Sequence, residues 1–207
     1  VRGGFLPPIE LRRRMFAGGR TEVHAPLEVG MDVTRTSVVE AIERKTGSTG
    51  DLVVVGLRHA IRCGADLLVE ERQDLVYTNA KPANGPSEQR TVADAPLLRD
   101  IATDEVMLFR FSALTFNSHR IHYDRSYAQR EEGYPDLVVQ GPLTAVCLAD
   151  VARSSTPDPV NWFEFRAQAP IHVGEMIRVR GQHTDDAIEL SAYRDDGMRA
   201  VTASAGF

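Results

Sequence analysis

Between Phe111 and Gly141 the chain reads FSALTFNSHRIHYDRSYAQREEGYPDLVVQG, which gathers two histidines, an amide and several acids into one short region. An apolar, strand-like run, Leu137-Val138-Val139, then leads into a segment opened by Gly141 and Pro142. An imidazole exchanges protons near neutral pH, and a glycine at a helix start leaves its backbone N–H open to an approaching acceptor. Together these residues describe a site that handles protons beside a helix N-terminus, where the helix dipole favours negative charge.

Such a site needs a helix and a scaffold to hold it. Pro142 to Ala152 carries Leu143, Val146, Cys147 and Val151 on one broad face, as a buried helix would. Ahead of it, Asp124 to Gln129 reads as a short helix and Val106 to Ser112 as a strand. After it, Trp162 to Ala167, Met176 to Gln182 and Ile188 to Tyr193 read as strands, with a last segment beyond the Asp195-Asp196-Gly197 turn. The first part of the chain is strand-rich. Thr34 to Glu43, Leu52 to Ile61 and Leu67 to Tyr77 are set apart by Thr49-Gly50-Asp51 and Cys63-Gly64-Ala65-Asp66, which predicts an antiparallel meander. After Tyr77 the run TNAKPANGPSEQRTVADAP is too rich in Pro, Gly, Asn and Ser to build a core, and reads as a linker. The expected division is therefore 1–78, a linker at 79–97, and 98–207.

One internal echo points to a two-fold plan. Ala25-Pro26-Leu27-Glu28-Val29-Gly30-Met31-Asp32-Val33 matches Ala169-Pro170-Ile171-His172-Val173-Gly174-Glu175-Met176-Ile177, and each precedes a long strand. A proline that fixes φ and a glycine that tolerates positive φ would make the same strand-launching turn twice. The first copy has no visible counterpart of the 142–152 helix, which is expected either to lie in a preceding portion or to have been lost.

Composition narrows the classes. The 207 residues are 43% hydrophobic, enough for a real core, and the net charge of −5 comes with no basic block that would follow a phosphate backbone. Nucleic acid is not an expected partner. No apolar run approaches the roughly 18 residues of a spanning helix, so no membrane partner is expected either. Cys63 and Cys147 lie far apart with no metal-ligand spacing, and read as reduced thiols in a cytoplasmic protein. His24, His59, His172 and His183 share no spacing, so no metal site is expected. The first residues lack a signal-peptide design, and because the chain opens on Val1, a further N-terminal portion is expected.

The motif region resembles the MaoC-like hydratases and dehydratases, whose hot dog fold wraps an antiparallel sheet around a long central helix. That family carries a signature of the form Asp-x-Asn-Pro-Ile-His-x-Asp with a following Tyr-Ala, then an Ala-His-Gly segment at the helix start. Here His122, Asp124 and Tyr127-Ala128 match directly and Gly141 matches the helix-opening glycine. Asn117 stands where the family has its catalytic Asp, His119 where it has Asn, Arg120 where it has Pro and Gln140 where His is usual. The wording FNSHRIHYD, the opening PPIELRRRMFAGGR and the ERQDLVY segment are similar to the two-hot-dog subgroup of mesaconyl-CoA and itaconyl-CoA type hydratases and 3-hydroxyacyl thioester dehydratases. The resemblance implies an α+β double hot dog with a degenerate or truncated first copy. It also implies reversible hydration of an enoyl thioester of CoA or a carrier protein, with no metal or redox cofactor. Burial of sheet edges by pairing suggests a homodimer, although a double hot dog already supplies its own pairing.

Hydration of a conjugated thioester needs a base for water, an acid for the α carbon and a donor for the enolate-like oxygen. His122 can serve both proton steps, and the Gly141 N–H can serve the oxygen. Asn117 can hydrogen-bond a water but cannot accept its proton, so either His122 acts alone with Asn117 orienting the water, the reading favoured by the spacing, or His119 or Asp124 assists. Around them His119, Arg120, Tyr123, Val139, Gln140 and Pro142 are the expected substrate-facing residues. Each also has a plainer reading: His119 as a loop hydrogen-bonder, Arg120 as a solvated cation rather than a partner for a carboxylate or phosphate, Tyr123 and Tyr134 as packing aromatics, and Gln140 as a polar helix start. Arg12-Arg13-Arg14 reads as a solvated strand face, with phosphates of a CoA or carrier arm as the other reading. A thioesterase on the same fold and a non-catalytic thioester-binding subunit remain as alternatives, because function lies in the site and not the fold.

Overall fold

The computed structural model describes residues 4–47, 50–80 and 95–207. In chain order the elements are β1 (Arg13–Val23), β2 (Thr34–Gly47), β3 (Gly50–Cys63), β4 (Asp66–Thr78), β5 (Leu97–Ala102), α1 (Glu105–Leu114), a 3₁₀ turn (Arg120–His122), α2 (Arg125–Arg130), α3 (Gly141–Ser154), β6 (Trp162–Ala167), β7 (Met176–His183), β8 (Ile188–Tyr193) and β9 (Arg199–Gly206). They divide into two compact units. One takes in the described residues up to Ala80 with Asn161–Glu164; the other takes in those from Ala95 to Val160 with Phe165–Phe207.

In the first unit the strands pair antiparallel in the order β2-β3-β4-β1. The three expected strands are all present and each runs longer than its β-branched centre. The β3–β4 connection is two residues, with Cys63 facing Asp66 and Gly64 at φ +58°, the position where a tight hairpin turn favours glycine. Alternation along β3 and β4 puts Val55, Leu57, Leu75 and Tyr77 on one buried face, with Leu6, Ile9, Leu11, Phe16, Val39 and Val53 packed against them. Among its described residues this unit has no helix.

The second unit has the antiparallel order β9-β8-β7-β5, and α3 packs against all four strands. Leu143, Cys147, Leu148 and Val151 of α3 meet a sheet face built from Ile177, Val179, Ile188, Leu190, Ala192, Val201, Ala203 and Ala205, all buried. Gly181 lets β7 and β8 close up: a Cβ there would lie 2.7 Å from Leu190 Cδ2 and 2.8 Å from the Glu189 carbonyl. This is the helix-on-antiparallel-sheet arrangement expected of an α+β chain.

Three expectations need correction. Val106 to Ser112 is helix, not strand: the Asp104 carboxylate accepts from Met107 N at 2.7 Å, and Leu108 and Ser112, four apart, form the buried stripe. The aromatic and β-branched residues there lose to that cap. The strand of this region lies earlier, at Leu97–Ala102, so Leu97 belongs to β5 and not to the linker, most of which (81–94) falls outside the described residues. Finally, Leu137-Val138-Val139 makes a single bridge, Val138 to His172, and not a strand.

The echoed segments do form the same turn. Gly30 has φ +98° and Gly174 φ +87°. Met31 N donates to Glu28 O at 3.2 Å, and Glu175 N donates to His172 O at 3.1 Å.

Candidate active site

α1 delivers the chain to the site and stops abruptly. Thr115 N bonds back to Phe111 O at 3.0 Å, and Phe116 then takes φ +51°, the one positive φ outside glycine among the described residues. That reversal leaves Phe116 95% exposed and turns the chain so that Asn117 N reaches Ser112 O at 2.9 Å. Asn117 Oδ1 accepts from His119 N at 3.1 Å, an Asx turn. Its amide oxygen therefore shapes the loop, which leaves the amide NH₂ as its free hydrogen-bonding group. A carboxylate could make the same turn.

His122 ends the 3₁₀ turn and is 7% exposed. Its Nδ1 lies 2.6 Å from Val138 O, while Val138 N donates to Ile121 O at 3.0 Å, so the turn and the 137–139 segment are tied in both directions. A carbonyl can only accept, so Nδ1 carries the hydrogen and Nε2 is a bare base. Burial pushes the His122 pKa down to about 4; the bond to Val138 works against that fall, and the charge of His119 adds to it. The His119 ring stands edge-on, 5.5 Å away. At neutral pH the imidazole is uncharged, with Nε2 as its accepting nitrogen.

Three residues beyond Val138, α3 begins at Gly141, a span of at most roughly 11 Å of chain. Gln140 occupies the capping position but does not cap. Its side chain, 0% exposed, donates from Nε2 to Leu108 O and Ser112 Oγ, both at 2.9 Å, and so braces α1 against the start of α3. Pro142 has no N–H to offer. The half-buried Gly141 N–H is thus a first-turn donor left without a side-chain acceptor, at the positive end of the helix.

The other expected residues scatter. Val139 is buried, and Pro142 is half-buried beside Gly141. Tyr123 is exposed and donates its hydroxyl to Ser118 O at 3.0 Å. Arg120 points outward: it pairs with Asp124 at 2.6 Å and lies over the Tyr127 ring at 4.2 Å. These side chains, with Ser126, Arg130 and Glu131, line an open polar depression of about 420 Å³. Asp124 accepts from Tyr127 N at 2.9 Å, the cap of α2, so it is committed to structure. Tyr134 packs 6.3 Å from the ring of His172. Sequence reasoning missed Ser112 as a partner of Gln140 and Val138 O as the acceptor for His122. The first was hidden by reading α1 as strand, and the second is main chain.

Comparison with known proteins settles the family. The model for "Hydroxyacyl-thioester dehydratase type 2" matches residues 2–173. This chain belongs to that family. It therefore stands among the hydro-lyases that act on acyl thioesters. The chain is 47% identical over 206 residues to the mesaconyl-C(4)-CoA hydratase of Chloroflexus aurantiacus, covering 98% of this chain and 73% of that protein. Among solved structures, HtdX of Mycobacterium tuberculosis superposes with a TM-score of 0.76 at 16% identity, covering 93% of this chain and 76% of that one. Another protein of that organism, described as having a double hot dog fold, gives a TM-score of 0.62 at 15% identity over 94% of this chain and 74% of its own. The family member described here thus has the hot dog fold that its motifs imply. Among the described residues no group of three or more His, Cys, Asp or Glu side chains could hold a metal ion, and no helix is long and apolar enough to cross a membrane. The cysteines are free, and burial pushes the Cys147 thiol up.

Proposed function

We propose that the chain adds water reversibly to the double bond of an enoyl-CoA, with His122 as the proton carrier, the Gly141 N–H as donor to the thioester oxygen and Asn117 as the group that orients the water. The observation that carries this reading is the tie from His122 Nδ1 to Val138 O, three residues before Gly141, because it leaves Nε2 as the accepting nitrogen and links the ring to the segment that opens α3. In the hydration direction, Nε2 takes a proton from water as its oxygen bonds to the β carbon. The electron pair of the double bond moves onto the thioester oxygen, where the Gly141 N–H and the α3 dipole stabilise it. The imidazolium then returns its proton to the α carbon. A base with a pKa of about 4 is weak at rest, but the negative charge growing beside it raises its proton affinity, and its conjugate acid gives the proton back readily.

Proton transfers alone complete this cycle, so the reading requires no metal or redox cofactor. Mesaconyl-C(4)-CoA, the substrate named for the Chloroflexus protein, is the first acyl group to try. We take the second unit as the hot dog that carries the chemistry and the first as its degenerate partner. A cytoplasmic homodimer belongs to the same reading, supported by β2, a long strand at the edge of its sheet that a second copy could pair with. The test is a panel of straight, methyl-branched and dicarboxylic enoyl-CoAs followed by loss of conjugated absorbance. Hydroxyacyl-CoA product supports the proposal, and release of free thiol without it would replace it with a thioesterase.

A further inference from the structure

The segment that holds His122 in place is itself held from the far side. Leu137-Val138-Val139 pairs with Ile171-His172-Val173: Val139 N donates to Ile171 O and Val173 N to Leu137 O, both at 2.9 Å. His172 N, at the centre of that partner segment, donates to Glu175 Oε2 at 2.6 Å, and His172 Nδ1 lies 3.4 Å from the same oxygen. Glu175 Oε1 faces Arg194 Nε at 3.3 Å, and Arg194 NH2 pairs with Asp196 at 3.1 Å. Thr103 closes the turn, with its hydroxyl donating to Glu175 O at 2.8 Å and accepting from Gly174 N at 3.1 Å. Burial works against the charge on Glu175, but its bonds from His172 and the nearby Arg194 outweigh that cost and hold the carboxyl below its ordinary range. An ionised carboxylate accepting a backbone N–H is among the stronger hydrogen bonds a chain can make.

We propose that Glu175 is a positioning residue for the proton-transfer site: by anchoring the main chain at His172 it fixes the Val138 bridge, and through Val138 O it locks His122 in its Nδ1–H form. This rests on the functional reading above only for its kinetic half. Glu175 touches no reacting atom. Its effect passes through two short main-chain steps, and the first copy of the turn lacks it, since Met31 occupies the equivalent place and Glu28 that of His172. The carboxylate is thus an addition to an otherwise shared turn.

The test compares Glu175→Leu and Glu175→Gln with the parent chain: leucine removes the acceptor for His172 N, whereas the glutamine amide oxygen keeps one. Nitrogen-15 labelled histidine spectra should give His122 as a single Nδ1–H tautomer in the parent and as a mixture in Glu175→Leu, with Glu175→Gln largely restored. Turnover of the preferred enoyl-CoA should fall in Glu175→Leu by about 10- to 100-fold in kcat with little change in KM, as expected of a displaced proton carrier. A Glu175→Leu spectrum that keeps the single tautomer overturns the proposal, as does an unchanged kcat. The tautomer needs no substrate, so this arm stands or falls apart from the assigned reaction. If Glu175→Leu fails to fold, Arg194→Met removes the outer brace while leaving the carboxylate, and should shift the same signal partway; an unshifted signal counts against the proposal.

Discussion

The two units each bury a histidine, and they hold it differently. In the first, His59 on β3 sits among strands with its Nδ1 2.7 Å from the Ser37 hydroxyl, a group that can donate or accept. In the second, His122 faces a main-chain carbonyl, which only accepts. Burial lowers the pKa of both rings. Only one is given a defined tautomer, by a carbonyl that lies three residues before a helix start. On the proposed mechanism burial alone therefore does not suit a histidine to proton transfer; what separates the two is a partner that fixes which nitrogen is bare.

The largest effect should come from exchanging that pair. His122→Ala should cost about 1000-fold or more in hydration rate while the fold persists, whereas His59→Gln should leave turnover unchanged; enoyl-CoA assays on both variants decide it. Comparable losses in the two would erase the distinction between the units. Gly141→Pro comes next. It deletes the N–H donor at a position where helices accept proline, and the preceding Gln140, at ψ 130°, has the extended backbone that proline favours before it. A loss of about 100- to 1000-fold with unchanged helical circular dichroism is expected.

Acid should separate the histidines from the rest of the molecule. The unfolded chain protonates the His122 imidazole near its ordinary value, the folded one only near pH 4, so in between the unfolded state holds the extra proton. Stability is complete above about pH 6.5 and is lost as the pH falls toward 4, by roughly 3 kcal/mol for this ring. His59 adds in the same direction. Urea midpoints between pH 7 and 4.5 should fall less steeply in His122→Gln than in the parent, and parallel slopes would deny the buried ring its part. The smallest effect is expected of Asn117→Asp, which can keep the Asx turn to His119 N and retain turnover; complete inactivation would mean that the amide NH₂ does work a carboxylate cannot.

Much of this was legible in the sequence because it is periodic or punctuated. Three of the four strands of the first unit, α3 and the last strands announce themselves by alternation, by an apolar helical face and by glycine turns, whereas β1, interrupted by Gly18 and Gly19, does not. The shared turn at Gly30 and Gly174 was readable from a nine-residue match. α1 was not, since Val106, Phe109 and Phe111 favour strands and only the Asp104 cap argues otherwise. His122, Asn117 and Gly141 could be picked out by residue type. The carbonyl of Val138, the wholly buried Gln140 and the anchor at Glu175 could not, because each acts through a contact between segments far apart in the chain.

Phe116 carries one more consequence. A bulky residue in the left-handed region costs about 1–2 kcal/mol, and this one recovers nothing by burial, being 95% exposed. Glycine would remove that strain yet loosen the corner that aims Asn117 and the 3₁₀ turn. A search for thermostable variants would thus be drawn to a position where resilience to heat and catalytic speed pull against each other.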